Sequence, residues 1–184
     1  MKNLTCIVGL VNNGNVYIGG DSAGVDSTSI CIRKDKKVFV NGPFIMGFTN
    51  SFRMGQLLQF KFVPPEQTCS DDFEYMVTDF IDKVKECFII NGFLFDKDDT
   101  MSGAFLVGYK SNLYIIDIDF QVGMVNTPYY SVGCGADLAL GAMYATQGKK
   151  PEQRIKIALE AASEFSSGVA PPFNIVKQIK RRKR

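Results

Sequence analysis

Two apolar, β-branched runs separated by an Asn/Gly turn open this chain, and they constrain its fold more than anything that follows. The first is Thr5-Cys6-Ile7-Val8-Gly9-Leu10-Val11 and the second is Val16-Tyr17-Ile18-Gly19-Gly20-Asp21-Ser22, with Asn12-Asn13-Gly14-Asn15 between them. This pattern specifies an antiparallel hairpin. A hairpin sets the start of its first strand beside the end of its second, so Thr5 and Asp21 become neighbours. Lys37 continues the spacing: Asp21 lies sixteen residues after Thr5, and Lys37 sixteen after Asp21. A hydroxyl nucleophile would meet a charged partner here.

Composition narrows the chemistry. The 184 residues include no histidine. That excludes Ser-His-Asp triads, Cys-His pairs, His-ligated zinc and the usual general base. Catalysis by this chain needs another base. Cys6, Cys31, Cys69, Cys87 and Cys134 are odd in number, scattered and without C-x-x-C spacing. They read as reduced thiols in a cytoplasm, not as a disulfide framework or a zinc site. No metal or cofactor is expected. Met1-Lys2-Asn3-Leu4 is too short and polar for a signal peptide, and no apolar run approaches the ~18 residues of a membrane span. The net charge is +2. The five basic residues from Lys180 to Arg184 carry no interleaved aromatics, so they read as a solvated tail, not a nucleic-acid surface.

Beyond the hairpin, Ser29 to Arg33 alternates like a half-buried strand. Two further strands are predicted at Lys37–Val40 and Phe44–Thr49. Ser51 caps a helix running to about Phe60, and Val63-Pro64-Pro65 ends that segment. Ser70-Asp71-Asp72 starts a long helix with acidic residues in its first turn. Phe73, Met76, Val77, Phe80, Val84, Cys87 and Phe88 follow at helical period, until Asn91-Gly92 stops it. An acidic loop spans Phe95 to Ser102. A hairpin is predicted over Ala104–Tyr109 and Leu113–Ile118, with a short strand near Phe120. A strand from Tyr130 leads into a helix over Ala136–Thr146. Pro151 opens another helix to about Phe165, and Phe173–Ile179 is the last strand. The order of elements predicts an α+β chain: two antiparallel sheets packed face to face between two helical layers. The near-continuous apolar runs Ile7–Leu10 and Phe105–Val107 suit strands covered on both faces. One domain is predicted over residues 5–179, after a removable segment 1–4 and before the tail 180–184.

Five motifs in this order carry a resemblance to a known family. They are Thr5 at the head of the hairpin with Gly20-Asp21 at its end, Lys37-Val38, Ile45-Met46-Gly47 before a helix, Ser131-Val132-Gly133-Cys134-Gly135 before the third helix, and Glu164-Phe165-Ser166-Ser167-Gly168 late in the fourth. Together they resemble the β-type subunits of the proteasome and the bacterial HslV peptidase, which are N-terminal nucleophile (Ntn) hydrolases of the threonine type. The resemblance spans Thr5 to about Val176 and implies the same αββα sandwich.

The resemblance also implies roles. Thr5 would be nucleophile and, through its own α-amine, base. Lys37 would lower the pKa of that amine, and Asp21 would hold Lys37 in place. Lys34 and Lys36 compete for the lysine position; the family spacing from Asp21 and on to Gly47 selects Lys37. Ser51 and Thr49 fall at the oxyanion and substrate position, where the backbone N–H groups of a helix start are available. Cys134, Glu164 and Ser167 would surround the amine. The chain departs from the family at three places. Leu4 replaces the glycine of self-cleaving members, Cys134 replaces a serine and Glu164 replaces an aspartate. The implied function is a threonine-type endopeptidase acting on peptides or unfolded protein inside a homo-oligomeric ring, fed by an ATP-dependent unfoldase. A catalytically silent ring subunit and an Ntn amidase acting on a small molecule are the alternatives. The apolar groups of the Phe52–Phe60 and Phe73–Phe88 helices are numerous enough for some to face a neighbouring subunit.

Overall fold

The computed structural model describes residues 4–26, 29–95 and 100–179. Its first two strands are β1 (Cys6–Asn12) and β2 (Asn15–Gly20), paired antiparallel with Ile7 opposite Gly20. Asn13 and Gly14 make the turn at φ 50° and 76°, the left-handed conformation that asparagine and glycine tolerate best. Strand β10 (Tyr129–Gly133) pairs along the other edge of β1, and β11 (Asn174–Gln178) along that of β2. The second sheet runs in the order β5 (Val38–Asn41), β6 (Phe44–Phe48), β7 (Phe105–Tyr109), β8 (Asn112–Ile116) and β9 (Val122–Gly123). Lys110 and Ser111 close the β7–β8 turn at φ 43° and 70°.

The period of two along each strand sorts the core into three layers. Along β1, Cys6, Val8 and Leu10 pack with Ala139, Met143, Ile155, Ala158, Leu159 and Ala162. The last six belong to α4 (Ala136–Ala145) and α5 (Pro151–Phe165). Ile7, between them, points the other way and meets Val38, Ile45 and Leu106 of the opposite sheet. Along β7 the same alternation sends Phe105, Val107 and Tyr109 to the other helical layer while Leu106 joins the sheet–sheet core. That layer comprises α1 (Phe52–Phe60), α2 (Asp72–Tyr75) and α3 (Ile81–Ile90). The architecture is therefore the expected αββα sandwich, and the continuous apolar runs exist because these strands are covered on both faces.

Several local expectations change. The long helix is capped by Asp71, whose carboxylate accepts from Glu74 N at 2.7 Å, and is interrupted by a π-helical turn over Met76–Phe80. The strand expected near Phe120 lies at Val122–Gly123; Phe120 itself sits in the preceding turn at φ 68°, with its ring buried. The strand expected to be half-buried, β4 (Ser29–Ile32), is exposed along its length. Among the described residues it pairs only with β3 (Ala23–Asp26), in a separate two-stranded ribbon that the sequence reading did not contain. Alternation of polar and apolar residues reports a β conformation, but not whether a layer covers it. Half of the acidic loop (96–99), the tail 180–184 and residues 1–3 lie outside the described residues.

Helix α1 meets its sheet at one crowded point. A Cβ on Gly55 would collide with the Phe48 ring, and Phe48 is held edge-on by Phe52 at 5.7 Å. Gly55→Ala is expected to destabilise the protein by about 1–3 kcal/mol through overpacking. The intrinsic helix preference of alanine should not rescue it. A urea titration checks this, and a midpoint unchanged or raised would show that the helix can slide away from Phe48.

Candidate active site

The hairpin delivers the first two groups. Asp21 follows the last residue of β2 and is fully buried. Its backbone N–H donates to Cys6 O at 3.3 Å, and its Oδ1 accepts from Cys6 N at 3.0 Å. Its Oδ2 accepts from Ala23 N at 2.8 Å and Ala170 N at 3.4 Å. These bonds tie the carboxylate to three chain segments and leave it facing Thr5, immediately before β1. The third group arrives from the other sheet. Lys37 precedes β5, and its carbonyl accepts from Phe48 N at 3.1 Å, which aims the side chain back across the sandwich. Its Nζ donates to Asp21 Oδ1 and Oδ2 at 3.0 and 3.1 Å and to Thr5 Oγ1 at 2.8 Å. Lys34 and Lys36 are exposed. The lysine that reaches Thr5 is Lys37.

Thr5, Asp21 and Lys37 are all nearly inaccessible to solvent. Burial pulls the Lys37 ammonium below its ordinary pKa, and the Asp21 carboxylate opposes that pull. A buried ion pair of this kind persists only where its remaining hydrogen bonds are made, and the backbone donors on Asp21 make them. The neighbouring Cys6 thiol is pushed up to about 12, chiefly by burial. It stays protonated and offers no rival nucleophile.

Around this centre the structure rearranges the remaining expectations. Ser51 caps α1, its Oγ accepting from Met54 N at 3.1 Å, and its own N–H donates to Thr49 O at 2.8 Å. The donors left without a helical acceptor in the first turn are those of Phe52 and Arg53. Thr49 turns its hydroxyl to Ala104 O at 2.8 Å and so secures the end of β6. Cys134 Sγ stands 3.1 Å from a serine hydroxyl, but the serine is Ser166. Glu164 and Ser167, expected beside it, are both exposed. The reason is helical phase. The buried stripe of α5 runs Ile155, Ala158, Leu159, Ala162, and four further residues lead to its C-cap Ser166, not to Glu164, while Ser167 lies beyond the helix.

Two more residues stand near the site without having been singled out for it by the sequence. Asn50 adopts φ 60° between β6 and α1. Its Oδ1 accepts from Leu4 N at 3.1 Å while its Nδ2 donates to Ser102 O at 2.6 Å. An asparagine between a strand end and a helix cap is a signal for the left-handed conformation, although not for its partner. Arg33 sets its guanidinium 3.9 Å from the centre of the Phe52 ring and is held by Asp35 at 2.8 and 2.7 Å. Leu4 completes the surroundings. Thr5 Oγ1 donates to Leu4 O. A methyl group on Gly168 would stand 2.8 Å from Leu4 Cδ2 and 2.9 Å from Cys134 Sγ. The Leu4 side chain therefore rests against Gly168, close to Cys134.

No family model matches the chain, and no curated protein matches it in sequence. Solved structures match it throughout. BPH from Thiobacillus denitrificans, in complex with epoxomicin, superposes with a TM-score of 0.80 at 17% identity, over 97% of this chain and 100% of that one. Eukaryotic HslV from Trypanosoma brucei gives 0.68 at 15% identity, over 94% and 98% of the two chains. Anbu (ancestral beta-subunit) from Yersinia bercovieri gives 0.65 at 14% identity, over 94% and 81%. At these identities the likeness lies in the fold: this chain has the HslV-like Ntn hydrolase fold.

Proposed function

We propose that this protein is a threonine-type peptidase of the proteasome and HslV kind, acting on peptides and unfolded chains in the cytoplasm. The observation that carries this reading is the contact of Lys37 Nζ with Thr5 Oγ1 at 2.8 Å, with the Asp21 carboxylate bound to the same ammonium. In a chain beginning at Thr5, the α-amine takes the hydroxyl proton as Oγ1 attacks the scissile carbonyl. The amine then returns that proton to the leaving amine. Water resolves the resulting ester. An α-amine suits the task because its ordinary pKa, about 7.7–8.0, lies near working pH. The Lys37 charge lowers that value further and stabilises the developing alkoxide. The first-turn N–H groups of α1 are the donors we assign to the oxyanion, because a helix start leaves them without helical acceptors.

A specific observation favours a second reading for the chain as encoded. The Thr5 nitrogen is an amide while Leu4 is attached, so the amine base is gone. The Leu4 N–H is held by Asn50. Such a chain is a silent subunit of the same fold. A small-molecule amidase remains the alternative for a monomer.

We further propose a closed homo-oligomeric ring with entry controlled by an ATP-driven unfoldase. The sheet of the same subunit takes up most of the helical stripe, including Met54, Leu57, Met76, Phe80, Val84 and Phe88. Phe60 and Ile90 nevertheless remain largely exposed on α1 and α3, available to a neighbour. One preparation tests both points. The active protein should have a mass and N-terminal sequence beginning at Thr5, and should sediment far above its 20.4 kDa subunit mass. Peptide hydrolysis by protein that retains Leu4 would refute the amine-base mechanism. A 20.4 kDa species at every concentration would refute the ring.

A further inference from the structure

Leu4 does more than block the amine. Its backbone N–H is held by Asn50 Oδ1 at 3.1 Å, and its carbonyl accepts from Thr5 Oγ1. Its half-buried side chain meets two segments. One is the link from β10 to α4, brought against the head of β1 where the Gly135 N–H donates to Thr5 O at 3.4 Å. The other follows α5. A Cβ built on Gly168 would stand 2.8 Å from Leu4 Cδ2, 3.1 Å from Leu4 Cα and 2.9 Å from Cys134 Sγ. A side chain at position 168 would therefore fill the space that Leu4 uses. Gly168 does not adopt the left-handed conformation, so backbone freedom does not account for a glycine there. The polar group beside this space is the Cys134 thiol, itself 3.1 Å from Ser166 Oγ, and both are uncharged.

In a chain that begins at Thr5 this space opens, and the reaction decides what enters it. The α-amine returns its proton to the leaving amine, so the residue carrying that amine has to lie against the Thr5 nitrogen. In the encoded chain the residue that lies against that nitrogen is Leu4, which is bonded to it. We propose that the space held by Leu4 is the subsite for the residue on the leaving side of the scissile bond, and that it selects an apolar side chain of about leucine size. This assignment rests on the peptidase reading and adds a substrate preference to it. Leu4 is a resident stand-in for the leaving residue. Gly168 gives the subsite its room. Cys134 gives it a neutral lining, against which a charged side chain would lose water and gain no opposite charge.

The test uses the chain beginning at Thr5 and a series of peptides that share one acyl side and differ in the leaving residue: leucine, glycine, glutamate or lysine. Leucine should exceed glycine about tenfold in kcat/KM, the effect of partly burying a side chain of this size. It should exceed glutamate and lysine by at least as much. Gly168→Ala should cut the leucine-to-glycine ratio about tenfold, because its methyl group takes the position beside Leu4 Cδ2. A second measurement needs no variant. An added amine can attack the ester on Thr5 Oγ1: the C–N bond forms, the C–Oγ1 bond breaks, and the proton of the amine passes through the α-amine to Oγ1. Leucinamide should therefore divert more of the acyl group from hydrolysis than glycinamide at the same concentration. Rates independent of the leaving residue, a preference for glutamate or lysine, or equal trapping by the two amides would overturn the proposal and leave the peptidase reading standing. So would an unchanged ratio in folded Gly168→Ala. Hydrolysis of none of the peptides would overturn the peptidase reading, and this subsite with it.

Discussion

Thr5→Ala is expected to reduce hydrolysis of small peptide substrates by roughly four orders of magnitude, because nucleophile and general base belong to one residue and the nucleophile is lost. The fold should be unaffected. Thr5 precedes β1, and its Oγ1 accepts one hydrogen bond from Lys37 and donates one to Leu4 O. Removing it leaves the ammonium its two bonds to Asp21. Thermal melting and sedimentation should therefore match the parent protein. Thr5→Ser is the informative companion, since it keeps the hydroxyl and the amine and should retain measurable activity. Parental rates in Thr5→Ala would remove Thr5 from the mechanism and return the site to a structural role.

The second large effect concerns the buried pair, and the geometry makes it asymmetric. Asp21→Ala strands the Lys37 ammonium with the Thr5 hydroxyl as its remaining partner, in a setting where Lys37 is 1% exposed. The expected destabilisation is about 3–5 kcal/mol. Lys37→Met fills much of the same space and leaves Asp21 its backbone N–H donors from Cys6, Ala23 and Ala170. The expected destabilisation there is smaller, about 1–3 kcal/mol. Both variants should lose most activity. The double variant should lose much less stability than the two costs added together, since each single change strands the partner that the double variant also removes. Urea titrations of the four proteins measure this, and additive costs would mean that the pair is not coupled.

The pair also has a pH signature. Burial lowers the Lys37 pKa below the 10.5 of an unfolded lysine. Between the folded and unfolded values the unfolded chain binds more protons, so stability rises with pH across that window. The destabilising contribution is fully present below the folded value and is gone above 10.5. Lys37→Met should flatten stability against pH on the alkaline side; an unchanged slope would assign that dependence to other groups.

The layer order and the central hairpin were legible because they depend on local rules. Asn13-Gly14 suits only a tight turn, and period-two alternation along β1 and β7 declares which residues face helices and which face the other sheet. Asp21 beside Thr5 follows from that hairpin alone. The absence of histidine limited the possible bases before any fold was considered. What sequence cannot carry is phase and cover between segments far apart in the chain. Glu164 and Ser167 looked suitable by motif, yet α5 turns Ser166 towards Cys134 because the helix is locked by Ile155, Ala158, Leu159 and Ala162. Ile30 and Ile32 alternate like core residues, yet β3 and β4 form a ribbon apart from the two sheets, and both isoleucines stay about half exposed. Lys34, Lys36 and Lys37 are equivalent as letters. The family spacing favours Lys37, and the packing of β5 against the first sheet draws it inside, where the fixed carboxylate of Asp21 offsets the cost of burying its charge.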